Sequence, residues 1–120
     1  TNCYDTMFSS CTGLTTAPAL PATTLADSCY SYMFWGCTKL TTAPVLPVKT
    51  LTMGCYNNMF NGCTKLNYIK CLATDISTHN CTYNWVNGVA STGTFVKAAG
   101  MSRWTTGTSG IPTGWRVQNA

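Results

Sequence analysis

A block of sequence recurs at a fixed spacing of 26 residues, and that period constrains the fold more than anything else in the chain. The most complete copy runs Cys29-Tyr30-Ser31-Tyr32-Met33-Phe34-Trp35-Gly36-Cys37-Thr38-Lys39-Leu40-Thr41-Thr42-Ala43-Pro44-Val45-Leu46-Pro47. Shifted back it meets Cys3, Tyr4, Met7, Phe8, Cys11, Leu14, Thr16, Ala17 and Pro18. Shifted forward it meets Cys55, Tyr56, Met59, Phe60, Gly62, Cys63, Lys65 and Leu66, with Ile69 in the register of Ala17 and Ala43. Repeats of this size belong to stacked architectures, in which each unit buries its apolar face only against its neighbours. Residues 1–97 carry the repeat. Residues 98–120 have lost it and read as a C-terminal capping segment.

Within a unit, Cys29, Met33 and Cys37 are four residues apart, which on a helix places all three on one stripe. This spacing predicts short helices at 3–8, 29–36, 53–60 and 81–88. Gly36, Gly62 and Gly88 stand where a helix end wants a left-handed residue, and Asp27 or Ser28 offers a capping oxygen. Leu14–Leu20, Leu40–Pro47, Leu66–Leu72 and Thr94–Lys97 are the expected strands. Leu14, Leu40 and Leu66 share an inward register with Met7, Met33 and Met59.

All eight cysteines fall on recurring positions. Cys3, Cys29, Cys55 and Cys81 share one register and Cys11, Cys37 and Cys63 a second, while Cys71 falls where Ala19 and Val45 sit. A buried column of thiols is therefore expected, since free Cys behaves as a small hydrophobe. Disulfides between neighbouring units are sterically conceivable but disfavoured by parallel side-chain directions. A zinc site from Cys71, His79 and Cys81 lacks a fourth ligand of the usual kind, so no metal and no cofactor is expected.

Charged residues make up 8% of the chain, and the net charge of +4 comes from seven scattered bases. No basic cluster resembles a nucleic-acid footprint, and no apolar run approaches the ~20 residues of a membrane helix. Asp75, His79 and Cys81 form the best catalytic constellation on offer. Nothing in the sequence compels them to converge, and no enzyme activity is expected. The chain begins mid-repeat, which suggests a fragment or the C-terminal end of something longer. A secretion signal is not present in it.

Met-Phe-x-Gly-Cys-Thr-Lys-Leu followed by a short strand and Pro resembles the leucine-rich repeat of the BspA type, found in surface proteins of anaerobic gut and oral bacteria. The segment from Trp85 through Thr94-Phe95-Val96-Lys97 to Gly114-Trp115 is similar to the end of such proteins. The resemblance implies an α/β solenoid: a right-handed leucine-rich-repeat coil of about three 26-residue repeats, each a short parallel strand plus a short helix, closed by a C-terminal cap. It implies export to the bacterial cell surface and adhesion, and it carries over no catalytic residue.

The functional expectation is a non-catalytic binding module that recognises a host or bacterial surface protein, or a glycan, through its exposed strand face. The alternative is a structural stalk or terminal spacer without a ligand. Outward strand positions line up as Thr16, Thr42, Tyr68 and Thr94, then as Pro18, Pro44, Lys70 and Val96. Tyr68, Lys70, Thr42 and Pro44 are the candidate contact residues. Trp35, whose counterparts Ser9 and Asn61 are polar, is a fifth. Self-association through the open N-terminal unit is a further expectation. Trp104 and Trp115 are expected over the last unit.

Overall fold

The computed structural model of the chain describes residues 6–20 and 25–120. Cys3, the first half of the expected 3–8 helix and the turn at 21–24 lie outside the described residues.

The repeat is built from turns. Between Ala26 and Cys37, odd-numbered amides close local turns: Cys29 donates to the Ala26 carbonyl (3.2 Å), Met33 to Tyr30 (3.2 Å) and Cys37 to Phe34 (3.1 Å). Even-numbered amides leave the unit and donate to the next one. Tyr30 reaches the Cys55 carbonyl (3.0 Å), Tyr32 reaches Asn57 (2.9 Å), Phe34 reaches Met59 (3.0 Å) and Gly36 reaches Asn61 (2.8 Å). The same alternation carries Tyr56 onto Cys81 (2.8 Å), Asn58 onto Tyr83 (2.9 Å), Phe60 onto Trp85 (2.9 Å) and Gly62 onto Asn87 (2.9 Å). A helix would satisfy its amides on carbonyls four residues back; here half of them join separate units.

Backbone dihedrals give the reason. Every fourth residue of the row has positive φ: Ser28, Tyr32 and Gly36, then Gly54, Asn58 and Gly62, then Asn80, Asn84 and Gly88. Each is the third residue of a local turn, where a type II turn requires φ above zero. An α-helix of L-residues excludes that conformation, which costs roughly 1–2 kcal/mol per residue outside Gly and, to a lesser degree, Asn. The expected capping role of Asp27 is likewise replaced, since its carboxylate accepts from the Met53 amide of the next unit (3.1 Å).

The expected α/β solenoid of leucine-rich-repeat type is therefore not what this chain forms. Among the described residues there is no α-helix. Regular strand is confined to β1 (Tyr68–Cys71), β2 (Thr94–Lys97) and β3 (Arg116–Asn119). They make one parallel sheet in the order β1-β2-β3, and the molecule measures 35 × 34 × 22 Å, a compact globule. The expected strands at 14–20 and 40–47 shrink to isolated bridges, Thr16 to Thr42 and Thr42 to Tyr68. Pro18, Pro44 and Pro47 remove the amides a ladder needs there.

One extra residue sits between Thr42 and Leu46, because Thr42 pairs with Tyr68 but Leu46 pairs with Cys71. That bulge turns Val45 outward (49% exposed) and brings Leu46 into the core beside Cys71. Cys71 thus lines up with Leu46 and not with Val45, and in the first unit Leu20 is buried while Ala19 is exposed.

Between turn row and sheet lies a core of stacked aromatic rings. Phe8, Phe34 and Phe60 form one column with centroids 5.5 and 5.8 Å apart and planes within 3°. Tyr30, Tyr56 and Trp85 form a second at 6.2 and 5.9 Å. Such pairs add about 0.5–1.5 kcal/mol each beyond the area they bury. Met33, Met59, Leu40, Leu66, Cys37, Cys55, Cys63, Cys71 and Cys81 are buried among them. Cys11 and Leu14 are half-buried, and Met7 departs from the inward register at 58% exposed, where the described chain packs a unit on one side only.

The cysteines are not uniformly thiols: Cys29 is disulfide-bonded, while Cys11, Cys37, Cys55, Cys63, Cys71 and Cys81 are free. Two of the thiols repeat one hydrogen bond, Cys37 donating to the Phe8 carbonyl and Cys63 to the Phe34 carbonyl, both at 3.0 Å. Burial pushes Cys55 up to about 11 and both Cys63 and Cys71 up to about 12 from an ordinary value of 9.0.

The closing segment takes the place of a further unit. The Val86 amide donates to Thr108 (3.1 Å), and the Trp85 indole N–H to Gly110 (2.9 Å). Trp104 stacks on Trp85 at 5.5 Å, and Trp115 is buried with its indole N–H on the Ala90 carbonyl (2.8 Å).

Two outcomes test this fold. Tyr32 holds a positive φ of 56° with its side chain partly exposed, so Tyr32→Gly is expected to melt no lower than the parent protein. A loss of about 1 kcal/mol, the usual cost of Gly inside a helix, would mean that the segment is helical after all. Folding raises the thiol pKa values, so it favours the protonated form. Stability is intact below pH 9 and is expected to fall as pH rises toward 12, by up to about 1.4 kcal/mol per pH unit for each fully buried thiol. Denaturant midpoints at pH 8 and pH 10.5 measure it; equal midpoints would show that the thiols are not sequestered.

Candidate functional site

The parallel register carries one outward row across the sheet. Thr42 bridges to Tyr68, Tyr68 pairs with Thr94, and Thr94 pairs with Arg116. Around this row lies a groove of about 640 Å³ lined by Thr42, Asn67, Tyr68, Thr92, Gly93, Thr94 and Arg116. Alternation along a strand turns Ile69 and Phe95 into the core and leaves Tyr68 and Thr94 half-buried at the surface. The backbone beneath is fixed: Asn67 donates to Thr41 (3.0 Å), Thr94 to Asn67 (3.0 Å) and Arg116 to Gly93 (2.9 Å).

Gly93 is a steric requirement of this floor. A Cβ there would stand 2.6 Å from the Asn67 carbonyl oxygen and 2.7 Å from the Trp115 ring. Trp115 is held against it by its bond to Ala90, so the ring cannot withdraw cheaply.

Chemically the groove offers hydroxyls from Thr42, Thr92 and Thr94, the Asn67 amide, one aromatic ring and one guanidinium. No carboxylate lines it. Lys70 lies beside the groove and pairs with Val96, but Val96 is buried, so the expected outward row through Pro44, Lys70 and Val96 does not form a surface. These groups suit a polar or anionic surface with an apolar patch for the Tyr68 ring.

Of the five contact residues expected from the sequence, Tyr68 and Thr42 meet in this groove and Lys70 lies beside it. Pro44 does not belong: the bulge buries it and presents Val45 in its place. Trp35 is exposed at 42% but stands on the turn row, beside Asn61 of the next unit, and so belongs to a different surface. Arg116 is the residue that sequence reasoning missed. Its row continues into β3 at a spacing of 22 from Thr94, not 26, and the alternating Trp115-Arg116-Val117 pattern was the available signal.

In the described structure no hydrogen bond joins Asp75, His79 and Cys81. Asp75 accepts from the amide (3.0 Å) and hydroxyl (2.6 Å) of Ser77. His79 is exposed, and the buried Cys81 thiol donates to the Ile76 carbonyl (3.4 Å) with its pKa raised by burial. Among the described residues no group of three His, Cys, Asp or Glu side chains is placed to hold a metal ion, and no helix is long and apolar enough to cross a membrane. Comparison with known proteins returned no match: no family model fits the sequence, and neither a curated protein nor a solved structure is similar to it.

Gly93→Ala is expected to cost about 1–3 kcal/mol by forcing the Asn67 carbonyl and the Trp115 ring away from position 93. Thermal denaturation of that variant checks it, and an unchanged melting temperature would mean that the floor is looser than its contacts indicate.

Proposed function

We propose that the chain is a non-catalytic binding module that recognises a protein or glycan partner through the groove of its strand face. One observation carries this reading: a continuous row of Thr42, Tyr68, Thr94 and Arg116 brings hydroxyl, aromatic and cationic groups to one fixed surface. Rigid backbone beneath such a row lowers the ordering cost of binding. The cation and the absence of a lining carboxylate favour partners that present anionic or hydroxyl-rich surfaces. The motif resemblance set out above is what points to a bacterial cell surface and to adhesion.

Glycan and protein arrays probed with the whole chain test this. Hits are expected that fall at least about tenfold in the double variant Tyr68→Ala, Arg116→Ala, because both an aromatic contact and a charge-assisted hydrogen bond are lost. Hits that persist unchanged in a folded double variant would move the site elsewhere. A chain without hits on either array would be a spacer.

A further inference from the structure

A second cavity, of about 700 Å³, shares no residue with the strand-face groove. Its walls come from the loop after β1 (Thr74, Asp75, Ile76 and Ser77), from Thr82 at the start of the last turn row, and from Arg103, Thr105 and Ser109 of the closing segment. Each wall is held by its own hydrogen bonds. The Thr82 hydroxyl donates to the Ser109 carbonyl (2.8 Å), the Asn84 amide donates to the Ser109 hydroxyl (2.9 Å), and the Ile111 amide donates to Thr105 (2.9 Å), while the Thr74 and Asp75 amides both donate to the Lys49 carbonyl (2.8 and 3.0 Å). The backbone on both sides is thus fixed before any ligand arrives.

Two opposite charges face it without neutralising each other. Among the described residues Asp75 and Arg103 form no ion pair, although the guanidinium is near enough to act on the carboxyl through space. Ser77 occupies one carboxylate oxygen of Asp75 with two hydrogen bonds, which orients the group and leaves the other oxygen to the cavity. Arg103 makes no side-chain hydrogen bond within the described chain, so its planar fork of donors is available. No aromatic ring lines the cavity, which removes the stacking surface that a sugar ring would want, while Ile76 gives an apolar contact and the Thr105 and Ser109 hydroxyls keep a proton to donate.

We propose that this cavity binds a small zwitterion carrying both an ammonium and a carboxylate, a free α-amino acid or a dipeptide, with its carboxylate on Arg103 and its ammonium on Asp75. A molecule that bridges the two charges satisfies both at once, and a neutral or singly charged analogue leaves one of them unpaired. The Thr105 and Ser109 hydroxyls complete the shell around the polar end, and Ile76 meets the ligand's side chain.

The test is titration of the isotopically labelled whole chain, followed by amide chemical shifts, with leucine, with the dipeptide Gly-Leu, with neutral N-acetyl-leucine amide and with a methyl hexoside. Saturable shifts at residues 74–77 and 103–109 are expected with leucine or Gly-Leu, and the tighter of the two identifies the source. Asp75→Asn keeps the acceptor for Ser77 and removes only charge; Arg103→Gln keeps amide donors. Each is expected to weaken binding at least about tenfold while leaving the rest of the spectrum in place. Equal response to the neutral amide or the hexoside, binding unaffected by either variant, or no shift with any of the four compounds would overturn the assignment. Array binding through Tyr68 and Arg116 is unaffected by any of these results.

Discussion

Half of the backbone amides in each turn row before the last reach across to the neighbouring unit, and the rest of the structure depends on that division. Tyr30, Tyr32, Phe34 and Gly36 each donate to a carbonyl 25 residues on, while the amides between them close local turns. A buried polar backbone must be satisfied somewhere, and this alternation satisfies it without helix or regular sheet. It also fixes the spacing between units, so that equivalent rings fall into columns at 5.5 to 6.2 Å. The thiols and methionines fill what the rings leave.

The same division explains how the molecule is closed. Donors on the last row need acceptors, and the closing segment supplies them from Thr108, Ser109 and Gly110 while Trp104 covers Trp85. With the turn row capped in this way, the segment returns to the sheet as β3 and extends the outward row by Arg116. The strand-face groove and the cavity beside Asp75 are thus both products of closure: each takes a wall from residues after 100. Repeat units supply the floor, and the non-repeating segment supplies the cation, Arg103 in one and Arg116 in the other.

Much of this was legible in the residues. The period, the inward set of Cys37, Met33 and Leu40 with Cys63, Met59 and Leu66, the covering role of Trp104 and Trp115, and the outward row of Thr42, Tyr68 and Thr94 all follow from spacing alone. The helices did not, for a specific reason. Apolar residues at i, i+4 and i+8 fit a 3.6-residue helix and a four-residue succession of turns equally well. What separates the two is the residue placed to take positive φ, and Gly54, Asn58, Gly62, Asn80, Asn84 and Gly88 are all Gly or Asn at intervals of four. Only the glycines at the ends of those rows read as helix stops, so the asparagines between them went unweighed. Pro44 and Met7 failed as placements on other grounds. A one-residue bulge shifts every side chain beyond it to the opposite face, and Met7 sits where the described chain packs one neighbour instead of two.

The most direct test of the turn row is a set of nuclear Overhauser contacts and carbon shifts across residues 53–62. Amide contacts between Phe34 and Met59 and between Phe60 and Trp85, with left-handed shifts at Asn58, are the predicted result. A continuous series of i to i+3 and i to i+4 contacts from 53 to 60, with helical shifts at Asn58 and no contact between units, would contradict it.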